Sequence, residues 1–224
     1  MKENSSLEKV WSEVFKVFAE NCVNFVNGMR SLGVIKCKDP DYTPESLIIV
    51  DKAINATWAK DYFKDRKLPE RFTLADIEKA SPGSSEAFAR VILTLGSYLG
   101  EVLAKNLGGT WKRNENMMFG WCVEISVWKV ALTYNVFHIA YESLFEPAKL
   151  YTTYVAAEVY KNAFEKRGME ALMKREVLES ELRTFYDKHI EAIKKVLEPG
   201  EKPPGIEIFM YLLKNIVMER KGLG

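Results

Sequence analysis

The chain has 224 residues, with 32 basic side chains against 31 acidic ones and a formal charge of +1. With 47% hydrophobic and 28% charged residues, it is neither a disordered tail, nor a collagen-like fibre, nor a disulfide-stapled miniprotein. Near-neutral charge gives no global electrostatic basis for binding nucleic acid or an anionic membrane, and a chain this long buries roughly 70% of its unfolded surface, enough for one substantial core.

Cys22, Cys37 and Cys122 are odd in number and far apart, which suits neither a disulfide framework nor a CxxC zinc site. The polar residues 1–7 are followed by no signal-peptide core, and no run of about 18 uninterrupted apolar residues occurs. The expectation is a cytoplasmic protein with reduced thiols, free of membrane and nucleic acid. The chain contains no glutamine while Lys and Glu abound, a composition that points to a prokaryotic, thermophilic source.

In chain order, residues 7–30 read as a long helix. Leu7, Trp11, Val14, Phe18, Cys22, Phe25 and Met29 recur at steps of three and four, and Val10, Val17 and Val26 widen that stripe. A loop over 35–42 leads to Thr43-Pro44, a hydroxyl cap before a proline at the first helical position, and Leu47, Val50, Ile54 and Trp58 carry a helix to about residue 66. Residues 68–83 hold Pro69, a short turn of helix over 74–79 and a Ser-Pro-Gly break.

Residues 84–107 give the clearest helix. Phe88, Val91, Leu95, Leu99 and Val102 form a wide apolar face, and Gly108-Gly109 supplies a left-handed end. Ala89, Gly96, Gly100 and Ala104 run along it as a strip of small side chains. Glycine within a helix costs about 1 kcal/mol relative to alanine, so the strip is read as a seam for a close neighbour, the 7–30 helix being the expected filler. After Gly109 the texture turns to strand: 110–113, 119–129 and 130–133, with Trp121, Val123, Ile125 and Val127 alternating against Cys122, Glu124, Ser126 and Trp128. Asn135 caps a helix over 136–145, a second runs over 146–167 to Gly168, a third over 169–197, and a stiff Pro-rich linker leads to a last helix over 207–220. The expected fold class is α+β: a mainly α-helical single domain with a small antiparallel sheet near residues 110–133, residues 1–198 forming the core and 199–224 a linker and C-terminal helix packed on the same domain.

Two segments form a pair. One is Asp41-Tyr42-Thr43-Pro44-Glu45-Ser46-Leu47, ending in Val50-Asp51; the other is Gly96-Ser97-Tyr98-Leu99-Gly100-Glu101-Val102, ending in Gly108-Gly109-Thr110-Trp111. The pair resembles a group of prokaryotic proteins that carry DYSxxSLxxLD followed by GxYxGExxxxxxGGxW. The resemblance covers residues 40–111 and implies a shared core, with no activity attached. The residues themselves read as structural: Thr43 as a cap, Asp51 as a hydrogen-bond acceptor near the loop, Tyr98 as an aromatic whose hydroxyl reaches a polar partner, and Trp111 as a ring folded back over the helix.

Phosphate loops, GxSxG, HExxH and EF-hand loops are all missing from the sequence, and His138 and His189 are the only histidines. No metal and no cofactor is therefore expected. The single composite site the spacing allows joins His138 and Glu142, at i, i+4, with Glu124 or Glu101 as a carboxylate–histidine metal site for a hydrolase. Against it, Glu101 shares a polar face with Thr94, Ser97 and Lys105 and reads as an exposed i, i+4 partner of Lys105. His189 lies on an apolar stripe and reads as a core-edge histidine with one satisfied nitrogen. The aromatic residues Tyr98, Trp111, Trp121 and Trp128 form the alternative candidate, the wall of a pocket for an apolar ligand. The leading functional expectation is a non-catalytic binding or protein-interaction module that self-associates or takes a protein partner. The metal-dependent hydrolase and the small apolar-ligand carrier are the alternatives.

Overall fold

The structure, a computed structural model, describes residues 2–57, 63, 65–69, 71–127, 130–146, 148–168, 174–197 and 200. Its elements are α1 (Lys2–Ser31), α2 (Ser46–Thr57), α3 (Leu74–Glu78), α4 (Ser85–Leu107), β1 (Gly109–Arg113), β2 (Trp121–Val127), β3 (Val130–Tyr134), α5 (Val136–Ser143), α6 (Lys149–Arg167) and α7 (Arg175–Val196). The architecture is α+β and mainly helical, with one three-stranded antiparallel sheet in the order β1-β2-β3. Trp58, Trp128 and the expected C-terminal helix lie outside the described residues.

α4 is the axis of the fold. Ser84 caps it by accepting from the Ala87 N–H, and Gly108 closes it at φ 73°, a conformation that glycine adopts without a Cβ clash. α1, α3, α5, α6, β1 and β2 all pack against it. By length and mean hydropathy α4 is apolar enough to cross a membrane, but 72% of its most apolar window is buried inside the protein's own core. The criterion of an uninterrupted apolar run misses this helix because single polar residues punctuate it.

The small-residue strip of α4 is a close-packing seam, with a different filler from the one expected. α1 does lie along α4, but aromatic rings occupy the glycine positions. A Cβ at Gly100 would fall well inside 3.0 Å of the Trp111 ring, and one at Gly96 would fall as far inside that distance of the Phe137 ring. Trp111 comes from β1 and Phe137 from α5, so the two glycines seat the sheet and the next helix on the axis. The inner face of α1 is Phe15, Phe18, Ala19, Cys22 and Val26, whereas Val10 and Val17 are 59% and 58% exposed. A stripe as wide as the periodicity allows does not fit on one buried face, and the aromatic residues set its rotation.

The strand alternation holds from Val123 to Val127, with Val123, Ile125 and Val127 buried; at the start of the strand Cys122 on the opposite face is buried as well as Trp121. Phe119 is not in a strand; it lies in a single helical turn at φ 58°, followed by Gly120 at φ 74°. Two successive left-handed residues reverse the chain into β2. α6 begins after Ala148 at φ 59° with no cap from its own side chain. Asp51 of α2 takes that role, accepting from the Leu150 and Tyr151 N–H groups at 3.3 and 3.0 Å. Cys22, Cys37 and Cys122 form no disulfide with one another.

Gly100→Ala is expected to lower the unfolding free energy by about 1–3 kcal/mol through overpacking against Trp111, although alanine in an open helix is the better residue by about 1 kcal/mol. Urea unfolding of the two proteins measures the sign, and a raised midpoint in the variant would mean the seam is loose.

Candidate functional site

The two paired segments meet in space, and a tyrosine joins them. Tyr98 is fully buried. Its hydroxyl lies 2.6 Å from Ser46 Oγ and accepts from the Tyr42 N–H at 3.1 Å. The Tyr42 ring stacks on Tyr98 at 5.0 Å, the Asn106 amide donates to the Tyr42 carbonyl at 2.9 Å, and the Lys105 ammonium sits 3.5 Å from the Tyr42 ring centroid. Thr43 bonds to Asp41 rather than capping α2 directly, and Ser46 closes the turn on the Thr43 carbonyl. Burial pushes the Tyr98 phenol far above its ordinary value, so it stays protonated.

Lys105 is thus engaged with Tyr42, and Glu101 is not its exposed partner. Glu101 is 5% exposed, and its carboxylate accepts from the Trp111 indole N–H at 3.0 Å. The correction has a simple cause. Helical spacing places Glu101 beside Lys105, but the incoming sheet covers that face and offers a fixed donor. Glu101 lies at the floor of a groove of about 530 Å³ between α1 and β1, with Lys9, Ser12, Lys16 and Lys112 along its sides.

The four residues of the composite hydrolase site do not come together. Glu124 stands opposite Thr110 and Thr133 in the ladder, on the other side of the sheet from Val123 and its partner Trp111. Glu101 is bonded to Trp111, so the sheet separates the two glutamates. His138 and Glu142 form only their local pair, 3.4 Å apart, and Glu142 is also held by Lys149 at 3.1 Å. Among the described residues no three His, Cys, Asp or Glu side chains form a metal cage. The aromatic candidates divide as well. Tyr98 and Trp111 are locked in the core, Trp128 lies outside the described residues, and Trp121 lines a large cleft.

That cleft opens between α1, the segment before α3 and the start of β2. It has a volume of about 1150 Å³, walled by Trp11 and Phe15 of α1, Leu68, Pro69 and Phe72 of the segment before α3, Leu93 of α4, and Met118, Phe119 and Trp121 at the start of β2. Phe72 meets Phe119 edge-on at 5.2 Å, and Phe119 continues to Phe137 at 5.4 Å. Phe119 holds its place in this wall on a left-handed backbone, φ 58°. Arg71, Thr73 and Asp76 stand at the rim. Asp76 and Thr73 form a reciprocal capping box on α3, with Asp76 Oδ2 accepting from the Thr73 N–H at 2.7 Å and from its hydroxyl at 2.8 Å. Leu68, Pro69 and Phe72 carry no sequence signal of this role, since an irregular segment has no periodicity to mark its apolar side.

A second cluster escapes sequence reading because its members lie far apart in the chain. His189 of α7 bonds through Nδ1 to Glu45 at 2.6 Å, and its Nε2 faces Glu158 of α6 at 3.5 Å. Lys188 also reaches Glu158, at 3.0 Å. One nitrogen is satisfied, as expected, and the partners are two carboxylates on opposite edges of the ring. That arrangement clasps three segments rather than caging an ion. Burial opposes the charged imidazole, but the two carboxylates of Glu158 and Glu45 beside it outweigh that and raise its pKa to about 9. Burial likewise opposes ionised Glu158, but hydrogen bonds from His189, Lys188 and Tyr154 outweigh it and lower its pKa to about 2.

Comparison with family models, with curated proteins and with solved structures found no match.

The clasp sets a pH window. The His189 contribution is complete below its ordinary value of 6.5 and is lost as pH rises through about 9. The Glu158 contribution is complete above its ordinary value of 4.5 and is lost as pH falls through about 2. The stability difference between the native protein and His189→Gln should therefore be largest between these two ordinary values and shrink on the alkaline side. Taking the difference removes the separate effect of Asp51, whose buried carboxyl is raised to about 7. Chemical unfolding across pH measures it, and a difference that stays constant through pH 9 would show that the imidazole is uncharged in the fold.

Proposed function

We propose that this is a non-catalytic binding protein whose working surface is the aromatic cleft between α1, the segment before α3 and the start of β2, and that its ligand is a small apolar molecule. The observation that carries this reading is the cleft itself: about 1150 Å³ with walls of Trp11, Phe15, Leu68, Phe72, Phe119 and Trp121. Small-molecule sites are concavities of about 300–1,000 Å³ with mostly apolar linings and few polar groups, and this one is slightly larger than that range with the same kind of lining. The non-catalytic part of the reading rests on the rim, where Thr73 and Asp76 are committed to each other in the capping box. The hydroxyl–carboxylate pair among the described lining residues is this same Thr73–Asp76 contact, which closes the first turn of α3. The setting we propose is a reducing cytoplasm, in keeping with three cysteines that form no disulfide with one another, two of them buried.

The neutral fluorophore N-phenyl-1-naphthylamine is a suitable probe, because Trp11 and Trp121 in the wall report its arrival by energy transfer. Saturable binding is expected, weakened about tenfold in Phe72→Ala, since truncating a large buried apolar side chain removes about 1.5–3 kcal/mol of contact. The unfolding midpoint of the variant checks that the scaffold is intact. Failure to saturate, or equal affinity in a folded Phe72→Ala protein, would remove the cleft as the working surface.

A further inference from the structure

We infer that the groove between α1 and β1 is a second binding site, separate from the aromatic cleft, and that it takes a small zwitterion with a primary ammonium and a carboxylate: an amino acid or a short peptide. Glu101 carries the inference. It is 5% exposed and lies at the floor of the groove. One of its oxygens accepts from the Trp111 indole N–H, and the other has no partner among the described residues. A single neutral donor leaves a buried carboxylate short of compensation. The remaining oxygen favours a donor that brings a positive charge, because a charge-assisted hydrogen bond is roughly twice as strong as a neutral one.

The walls decide what else that donor must carry. Lys9, Lys16 and Lys112 stand along the groove with Glu8 and Glu13. Lys112 is held by Glu8 at 3.0 Å, and Lys16 by Glu13 at 2.6 Å. Lys9 and the Ser12 hydroxyl, one turn apart on α1, have no partner among the described residues. The groove thus holds two uncommitted charges of opposite sign, Glu101 and Lys9, which do not pair with each other. A simple anion would suit the lysines but meet the carboxylate at the floor. A polyamine would suit the floor but meet three lysines on the way. A zwitterion satisfies both, with its ammonium down on Glu101 and its carboxylate at Lys9, where Ser12 can donate as well. The volume of about 530 Å³ lies within the range of small-molecule sites, about 300–1,000 Å³.

The probes are L-alanine and L-alanyl-L-alanine, each with its N-acetyl and its amide derivative. NMR titration to millimolar concentration should show saturable binding, read at the Trp111 indole N–H. A tighter dipeptide supports the inference with a peptide N-terminus as the ligand, and equal affinities support it with a free amino acid. N-acetylation and Glu101→Gln should each weaken binding at least about tenfold, through loss of one charge-assisted bond. Glutamine keeps an acceptor for the indole, and the unfolding midpoint checks the fold. Lys9→Ala should weaken the free zwitterion about threefold and leave its amide unchanged, as for an exposed ion pair. The acetylated probes and Lys9→Ala decide the question even where Glu101→Gln unfolds. Failure of both zwitterions to saturate would overturn the inference, as would binding that survives N-acetylation or a folded Glu101→Gln. Equal affinity for acid and amide, with Lys9→Ala silent, would overturn it in favour of a simple amine.

Discussion

The arrangement depends on one packing constraint, the seating of the Trp111 indole over Gly100 with its N–H bonded to Glu101. The missing Cβ at Gly100 lets the ring approach the α4 backbone closely, and Glu101, one residue on, supplies the acceptor at 3.0 Å. A buried indole N–H without an acceptor costs about 1–3 kcal/mol, so glycine and glutamate act together. Phe15 of α1 then covers the indole at 4.3 Å, and Phe137 of α5 stacks at 5.8 Å. Phe15 also contacts Trp121, and these two rings, with Trp11, form one wall of the cleft. The pocket follows from the way the sheet is anchored to the helix.

Buried polar groups perform the same service on the far side of the axis. Tyr98 fixes the turn before α2, Asp51 of α2 caps α6, and Glu45 at the head of α2 holds His189 of α7. Each of these contacts joins segments distant in sequence, and each satisfies a group that would be costly to bury alone. The paired segments over 41–51 and 96–111 are therefore accounted for by architecture. Their polar residues serve mainly to join helices, and the cleft is built chiefly from residues outside them, such as Trp11, Phe72 and Trp121.

Helix α4 is readable from sequence down to its C-terminal cap, because Gly108 is a local signal. The β2 alternation and the Asn135 cap are readable for the same reason. Partners across the fold are not. The strip at Gly96 and Gly100 announces that something approaches, but helical spacing carries no information on whether a helix or a ring arrives. Glu101 has one candidate partner at i+4 and another ten residues away in β1; only the strand's path decides for Trp111, while Lys105 turns to Tyr42. The composite site of Glu101, Glu124, His138 and Glu142 assumes that residues near in sequence converge, and the sheet separates them. The cleft and the His189 clasp are hidden, the one in an irregular segment and the other in three separate helical regions.

A double-mutant cycle between Glu101→Ala and Trp111→Phe tests the central constraint most directly. Phenylalanine keeps a ring in the seam and removes the N–H. If the indole bond anchors the sheet, Glu101→Ala costs about 1–3 kcal/mol in the native background and far less in the Trp111→Phe background, giving a coupling energy of at least about 1 kcal/mol. Equal costs in the two backgrounds would mean that Glu101 and Trp111 are merely neighbours and that the sheet is held on α4 by something else.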